Sequence, residues 1–193
     1  MNGWLRLIWT NTWCAQRLPT PFTVSGKASA VFSQTALLEY TILPAGPFSL
    51  LTQYSYYQNF HPAVQGYDQM THFVGLTPTY AFKNGCFWLP VSYTYMDLQS
   101  DKYYTGYLVT PTYLHQINEK IGLEVGAKYN NQRFWTPLFL SQDNRTGNLW
   151  GGNVGMYYFF KKQTGFVQAR LGYCNNNTKG KNWDSNNYNL LLS

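Results

Sequence analysis

The sequence is poor in charged residues and contains no long hydrophobic run. Only 11% of its 193 residues are Asp, Glu, Lys or Arg, whereas an average soluble domain has about 25%. No apolar run reaches the roughly 18 residues that a membrane helix requires. Any contact with a membrane must therefore be made by strands or by the protein surface.

The sequence also lacks the usual marks of a nucleic-acid or metal site. Its net charge of +6 is spread without a Lys/Arg block, so no nucleic-acid surface is predicted. The three cysteines, Cys14, Cys86 and Cys174, do not have the spacing of metal ligands, and we interpret them as packing residues. We expect no metal and no cofactor.

No catalytic set is recognisable among the polar residues. His61 lies in a predicted loop, His72 falls on the apolar side of a predicted strand, and His115 lies beside a predicted turn. No arrangement of Ser, His and Asp converges from these positions. We therefore expect that the protein is not an enzyme.

The chain does have many aromatic residues and a clear alternation of apolar and polar residues. Aromatic residues make up 19% of the chain, including 17 Tyr. In residues 121–129, Ile121, Leu123, Val125 and Tyr129 alternate with small or polar residues, which predicts a strand. Similar alternation marks other strands at about 30–42, 48–56, 69–82, 87–95, 103–116, 146–160, 167–173 and from 186.

The predicted connections alternate between short and long. Short ones occur at 43–46, 83–85, 117–119 and 161–165, and longer polar ones at 61–69, 97–102, 132–145 and 175–185. Outer-membrane barrels have this asymmetry, with strands of about ten alternating residues. The sequence therefore predicts an all-β protein, an up-and-down antiparallel meander that forms a transmembrane β-barrel.

Two nearly identical strings, "LTPTYAF" at 76–82 and "VTPTYLH" at 109–115, each place a proline in a predicted strand. A proline cannot donate a ladder hydrogen bond and is tolerated best near a rim. Each copy precedes a short turn, so we expect both at the same end of the barrel. Pro78 and Pro111 then share the outward face with Tyr80 and Tyr113.

The alternation assigns residues to the two faces of the predicted barrel. Tyrosines of an outward aromatic girdle are expected at Tyr80, Tyr93, Tyr113, Tyr129 and Tyr173. Polar residues expected to line the lumen are Glu39, Gln53, Thr77, Thr110, Glu124, Lys128, Gln168 and Arg170. Glu124 and Arg170 are expected to face each other, in a hydrogen-bonded wall or plug or in a selectivity ring.

The strand count indicates an incomplete barrel. About nine strands are recognised in residues 29–193, and alternation in "LRLIWTNTWCA" offers a tenth within the N-terminal segment 1–28. Bacterial single-chain barrels have even strand numbers and no free edge. We therefore expect residues 29–193 to be a barrel domain, part of a larger barrel.

The segment "TPTYAFKNGCFWLPVSYTYMDLQSDKYYTGYLVTPTYLHQINEKIGLEVGAKY" resembles the C-terminal β-barrel of bacterial outer-membrane proteins that carry tetratricopeptide repeats. This group includes surface lipoprotein assembly modifiers and exopolysaccharide exporters. The resemblance covers about residues 29–193, and no tetratricopeptide pattern precedes them. It implies an outer-membrane conduit or anchor for exported polysaccharide or lipoprotein, with outer-membrane lipid as a partner.

Two other functions remain open. A soluble ligand-binding barrel of the lipocalin type would place the apolar face inside and the polar face outside. A glycan-binding surface adhesin would instead use Trp135, Trp150 and Trp183, which lie in and near the long connections.

Overall fold

The computed structural model describes residues 2–16, 29–43, 46–61, 68–135, 144–160 and 165–192. These residues form one sheet in which neighbouring strands are antiparallel, so the predicted all-β up-and-down meander is confirmed. The strands are β1 Asn2–Gln16, β2 Ser29–Leu43, β3 Phe48–Phe60, β4 Gln69–Phe82, β5 Gly85–Trp88, β6 Val91–Leu98, β7 Asp101–Val109, β8 Thr112–Gln116, β9 Ile121–Phe134, β10 Gly147–Phe160, β11 Gly165–Thr178 and β12 Ser185–Leu192.

Two passes across the sheet are each broken into two strands at a proline. Leu89 and Pro90 separate β5 from β6, and Thr110 and Pro111 separate β7 from β8. β4 pairs with both β5 and β6, while β9 pairs with both β7 and β8. The 12 strands therefore cross the sheet ten times, because β5 with β6 and β7 with β8 each make a single crossing, or pass. The nine to ten strands expected from the sequence correspond to these ten passes.

The prolines of the repeated strings lie in one row of the sheet. Residue 79 is opposite residue 88, and residue 88 is opposite residue 112, so Pro78 and Pro111 flank Leu89 in the next row. Both lie near the same end of the sheet, as expected from the sequence. Each proline lacks an N–H, but the carbonyls of Pro78, Pro90 and Pro111 still accept bonds of 3.0, 2.9 and 2.9 Å from Leu89, Thr110 and Ala127.

The two ends of the sheet differ in their connections. We call the end with the connections at 44–47, 83–84, 117–120 and 161–164 the turn end, and the opposite one the loop end. At the loop end, the expected longer connection at 97–102 is wrong, because β6 ends at Leu98 and β7 begins at Asp101. The turn residues Gln99 and Ser100 have φ values of 56° and 66°. Such two-residue turns usually carry Asn-Gly, so Gln-Ser gave no turn signal.

The edges of the sheet are β1 and β12. Within the described ranges, β1 pairs only with β2, and β12 pairs only with β11. β1 lies inside the N-terminal segment 1–28 and pairs with β2 along its whole length.

Hydrophobic side chains are exposed on this sheet. Val31 is the only buried hydrophobic residue among those whose side-chain burial the structure describes, which leave out 2–4, 9–16 and 29–30 of the first two strands. The buried polar residues there include Glu124, Gln168 and Thr178. The usual arrangement of an apolar core beneath a polar surface is thus inverted.

Candidate functional site

The strand register separates two chemically different faces. The eight residues predicted to line the lumen share one face, which we call the polar face: Glu39, Gln53, Thr77, Thr110, Glu124, Lys128, Gln168 and Arg170. The five predicted girdle tyrosines share the opposite face, which we call the apolar face: Tyr80, Tyr93, Tyr113, Tyr129 and Tyr173.

The apolar face carries a band of exposed aliphatic residues in the middle of the sheet. Val125 is 57% exposed, and Leu123 of the same strand is 42% exposed. Between them, Glu124 points to the polar face and is 4% exposed. Exposed aliphatic residues of the band are Val74, Leu76, Val91, Leu123, Val125, Val154, Met156 and Leu171.

Aromatic side chains border this band at the loop end. Tyr93 contacts Tyr107 with ring centroids 4.7 Å apart, and His72 contacts Tyr56 at 5.2 Å. Further along, the rings follow one another across β10, β11 and β12, with Trp150 5.7 Å from Tyr173 and Tyr173 5.2 Å from Tyr188. We call these rings the upper belt: Tyr54, Tyr56, His72, Tyr93, Tyr95, Tyr107, Tyr129, Trp150, Tyr173 and Tyr188.

A second group of rings borders the band at the turn end. Tyr80 lies 4.8 Å from Phe82, and Phe82 lies 6.1 Å from Tyr113. We call Phe48, Tyr80, Phe82, Phe87 and Tyr113 the lower belt. On β3, Phe48 of the lower belt is six residues from Tyr54 and eight residues from Tyr56 of the upper belt, which is about 20–26 Å along a strand. The predicted girdle residues are thus divided between two ends.

The tyrosine hydroxyls point away from the band at the loop end. The hydroxyl of Tyr129 donates to Asn148 Oδ1 at 3.0 Å, and Asn148 is opposite residue 131, one row nearer the loop end. The hydroxyl of Tyr173 donates to Asn186 Oδ1 at 2.9 Å, and Asn186 is opposite residue 175, again one row nearer that end. Both rings therefore contact the band while both hydroxyls meet polar groups.

Two further belt tyrosines direct their hydroxyls to histidines. The Tyr54 hydroxyl lies 2.8 Å from His72 Nδ1, which is one row nearer the loop end. At the turn end the direction reverses, because the Tyr113 hydroxyl lies 3.2 Å from Nδ1 of His115. His115 is two residues nearer the turn at 117–120. Hydroxyls of both belts therefore point outward from the aliphatic band.

A charged cluster occupies the centre of the polar face across β9, β10 and β11. Arg170 Nη2 lies 2.7 Å from Glu124 Oε1, so the expected pairing of these two residues is confirmed. The Tyr157 hydroxyl donates to Glu124 Oε2 at 2.5 Å and accepts from Arg170 Nη2 at 3.2 Å. Asn153 Nδ2 donates to Glu124 Oε1 at 3.0 Å. The buried carboxylate is therefore well supplied with donors.

The ion pair crosses an intervening strand because Gly155 leaves space for it. Gly155 is directly opposite both Glu124 and Arg170. A Cβ atom there would lie 3.6 Å from the Glu124 Cβ and 3.8 Å from the Arg170 Cβ. A longer side chain at 155 would occupy the space in which the carboxylate and the guanidinium meet.

Gln168 completes the cluster. When its amide oxygen faces the Arg170 guanidinium, it accepts from Nε at 3.1 Å and from Nη2 at 2.9 Å. This orientation matches an acceptor to a charged donor, which the opposite orientation does not. We call Glu124, Asn153, Tyr157, Gln168 and Arg170 the polar cluster.

The other predicted polar-face residues lie outside this cluster. Gln53 Nε2 donates to Glu39 Oε1 at 2.6 Å, and Arg6 Nη1 lies 3.6 Å from Glu39 Oε2. This smaller group spans β1, β2 and β3. The structure does not bring Thr77, Thr110 or Lys128 into either group.

Tyr157 and Gly155 were missing from the predicted site. Their position opposite Glu124 and Arg170 depends on the register of β10, which alternation alone does not fix. The sequence did offer one signal for them: Gly155 and Tyr157 are two residues apart, which places both on the same face of a strand.

Groups suited to metal binding do not gather in the described ranges, where no set of three His, Cys, Asp or Glu residues comes together. The histidines are dispersed: His72 and His115 contact tyrosines of different belts, and His61 Nδ1 lies 3.7 Å from Asp68.

Helices do not provide a membrane crossing, since none in the described residues has the necessary length and hydropathy. Comparison of the chain with protein-family models, with curated proteins and with solved structures found no match. The two faces and the polar cluster are therefore the features from which a function can be inferred.

Proposed function

We propose that the chain forms the transmembrane sheet of a bacterial outer-membrane β-barrel, with its apolar face against lipid. The observation that carries this proposal is the orientation of the belt tyrosines. Hydroxyls of Tyr54, Tyr129 and Tyr173 point to the loop end, and that of Tyr113 points to the turn end. A bilayer favours this arrangement, because a ring can lie in the acyl region while its hydroxyl stays hydrated.

The dimensions of the apolar face support the same proposal. A separation of about 20–26 Å along tilted strands corresponds to an apolar band of about 15–20 Å along the membrane normal at a tilt of about 40°, which is below the roughly 25 Å typical of outer-membrane barrels. A shallow groove of about 590 Å³ opens on this face beside Val154, Leu171 and Tyr188, where an acyl chain can lie. Soluble monomers rarely expose so large an apolar surface.

The polar face is proposed to line the interior of the barrel. Its charged cluster is satisfied by hydrogen bonds, and its remaining threonine and amide groups can hydrate a lumen. With the resemblance to barrels of tetratricopeptide-containing outer-membrane proteins, these properties support a role as conduit or anchor in the export of polysaccharide or surface lipoprotein.

The two alternatives have less support. A lipocalin-type barrel requires apolar residues inside, whereas Leu123 and Val125 are exposed. A glycan-binding adhesin requires free aromatic faces, but the Arg133 guanidinium lies 3.8 Å from the Trp135 ring and the Arg145 guanidinium lies 3.7 Å from the Trp183 ring.

Membrane fractionation tests the proposal directly. We expect the protein to sediment with outer membranes, to require detergent for extraction, and to migrate differently on gels before and after heating. A monomer that stays in solution without detergent would defeat the membrane assignment.

Conductance across a planar bilayer separates a conduit from an anchor. A water-filled lumen predicts ion conductance that changes when Arg170 is replaced by Gln. Stable insertion without conductance would favour an anchor.

A further inference from the structure

Two exposed tryptophans at the loop end are covered by cations. Trp135, immediately after β9, has Lys102 Nζ 4.0 Å from its ring centroid and Arg133 Cζ 3.8 Å from it. Trp183 has Arg145 Cζ 3.7 Å from its ring centroid. Cation–π contacts of this kind hold positively charged groups in place. Lys102 and Arg133 are thus fixed around one ring.

The charges of Lys102 and Arg133 are not neutralised within the described part of the chain. The ion pairs there are Arg6–Glu39, His61–Asp68 and Arg170–Glu124. Asp97 is the ladder partner of Lys102, and Asp101 precedes it in sequence, yet neither forms an ion pair with Lys102. Two cations held around one ring repel each other, so an anion between them would be stabilising.

The position of this pair relative to the upper belt indicates the kind of anion. Arg133 shares the apolar face with Tyr129 and lies four residues nearer the loop end, about 13 Å along the strand. Lys102 Nζ is also 5.9 Å from the ring of Tyr95, a member of the upper belt. In a bilayer this level, just beyond the aromatic rings, is occupied by lipid headgroups.

We propose that Lys102 and Arg133 bind the phosphate of a lipid headgroup in the leaflet at the loop end. This inference depends on the proposed membrane function. Arg133 supplies a planar fork for two phosphate oxygens, and Lys102 supplies a point charge. Trp135 keeps both groups on the rim, and the apolar face below it receives the acyl chains of the same lipid.

Titration with a phosphate-bearing lipid tests the proposal. The protein is inserted into phosphatidylcholine vesicles, short-chain phosphatidic acid is added, and tryptophan fluorescence is followed. We expect a saturable change that is lost in the Trp135→Phe variant. Because each cation near a membrane surface contributes about fivefold to anionic-lipid binding, Lys102→Gln with Arg133→Gln should weaken binding about 30-fold.

A matched control removes two cations at the other end of the sheet. Lys83→Gln with Lys120→Gln changes the net charge equally and should leave the titration unchanged. The inference is overturned if the Lys102/Arg133 double variant titrates like the native chain, or if inorganic phosphate produces the same change as the lipid. Failure of the native protein to enter phosphatidylcholine vesicles would instead overturn the membrane function and this inference with it.

Discussion

At the residue scale, the cost of introducing a charge can be compared at two depths in the bilayer, at Val125 and at Asn131. Both are exposed on the apolar face of β9, Val125 in the aliphatic band and Asn131 two residues nearer the loop end than Tyr129 of the upper belt. A charge at the bilayer midplane costs about 2–4 kcal/mol, but about 0–1 kcal/mol near the interface. We expect Val125→Arg to lower the free energy of unfolding by about 3 kcal/mol, and Asn131→Arg to have little effect.

Urea unfolding of the protein folded in phosphatidylcholine vesicles measures both free energies. In water, two exposed positions on one strand would tolerate arginine equally. Small and equal effects of the two substitutions would therefore argue against lipid contact.

Removing the carboxylate of the polar cluster is expected to lower the free energy of unfolding substantially. Glu124→Ala leaves Arg170 and Tyr157 without their buried carboxylate partner, and breaking a buried ion pair typically costs about 3–5 kcal/mol. The Arg170 side chain is 35% exposed, so we expect a loss near about 3 kcal/mol.

The ion pair between Arg6 and Glu39 is the natural control. The Arg6 side chain is 67% exposed, and exposed pairs contribute less than about 1 kcal/mol. Equal losses for Arg6→Ala and Glu124→Ala in the same urea experiment would show that the polar cluster is not specially stabilising.

At the element scale, the broken passes account for the last threonine of the second "TPT" string, Thr112. Pro90 cannot donate to the carbonyl of Thr110, which it faces across the ladder. The Thr112 hydroxyl donates to that carbonyl instead, at 3.3 Å. A threonine two residues after Thr110 thus replaces a hydrogen bond that a proline in the neighbouring pass removes.

Replacing Thr112 by Val removes this hydroxyl with little change in side-chain volume. We expect the free energy of unfolding to fall by about 1 kcal/mol, because the Thr110 carbonyl loses its partner. Thr79 holds the equivalent place in the first string and makes no side-chain hydrogen bond in the described ranges. Urea unfolding of Thr79→Val should therefore show a smaller change, and a larger one would refute this role for Thr112.

The same elements indicate how far the sequence predicts the fold. Alternation in residues 121–129 separates the two faces because a strand has a side-chain period of two. Glu124 and Arg170 could be paired in advance from their distances to the short turns. Tyr157 and Gly155 could not, because their alignment depends on register across β10. The turn at Gln99 and Ser100 was missed because neither residue is a usual choice for positive φ.

At the scale of the whole molecule, the two ends of the sheet are predicted to lie on opposite sides of the membrane. In outer-membrane barrels the longer connections face outward and the short turns face the periplasm. Asp101, at the loop end, and Asn84, at the turn end, are both exposed and suit single-cysteine labelling. The three native cysteines are first replaced by serine.

An impermeant maleimide added to intact cells should label Asp101→Cys but not Asn84→Cys. Asn84→Cys should react only after the outer membrane is permeabilised. The reverse pattern would contradict the proposed orientation, and labelling of both positions on intact cells would contradict a sealed membrane crossing.

The scarcity of fully buried apolar side chains has a consequence for biogenesis. In water, a fold in which Val31 is the one fully buried hydrophobic residue among those whose burial is described gains less than usual from the hydrophobic effect, which drives most proteins to collapse. The newly made polypeptide would then have little tendency to reach this shape before it meets lipid. Its maturation would instead depend on chaperones that keep it unaggregated until insertion.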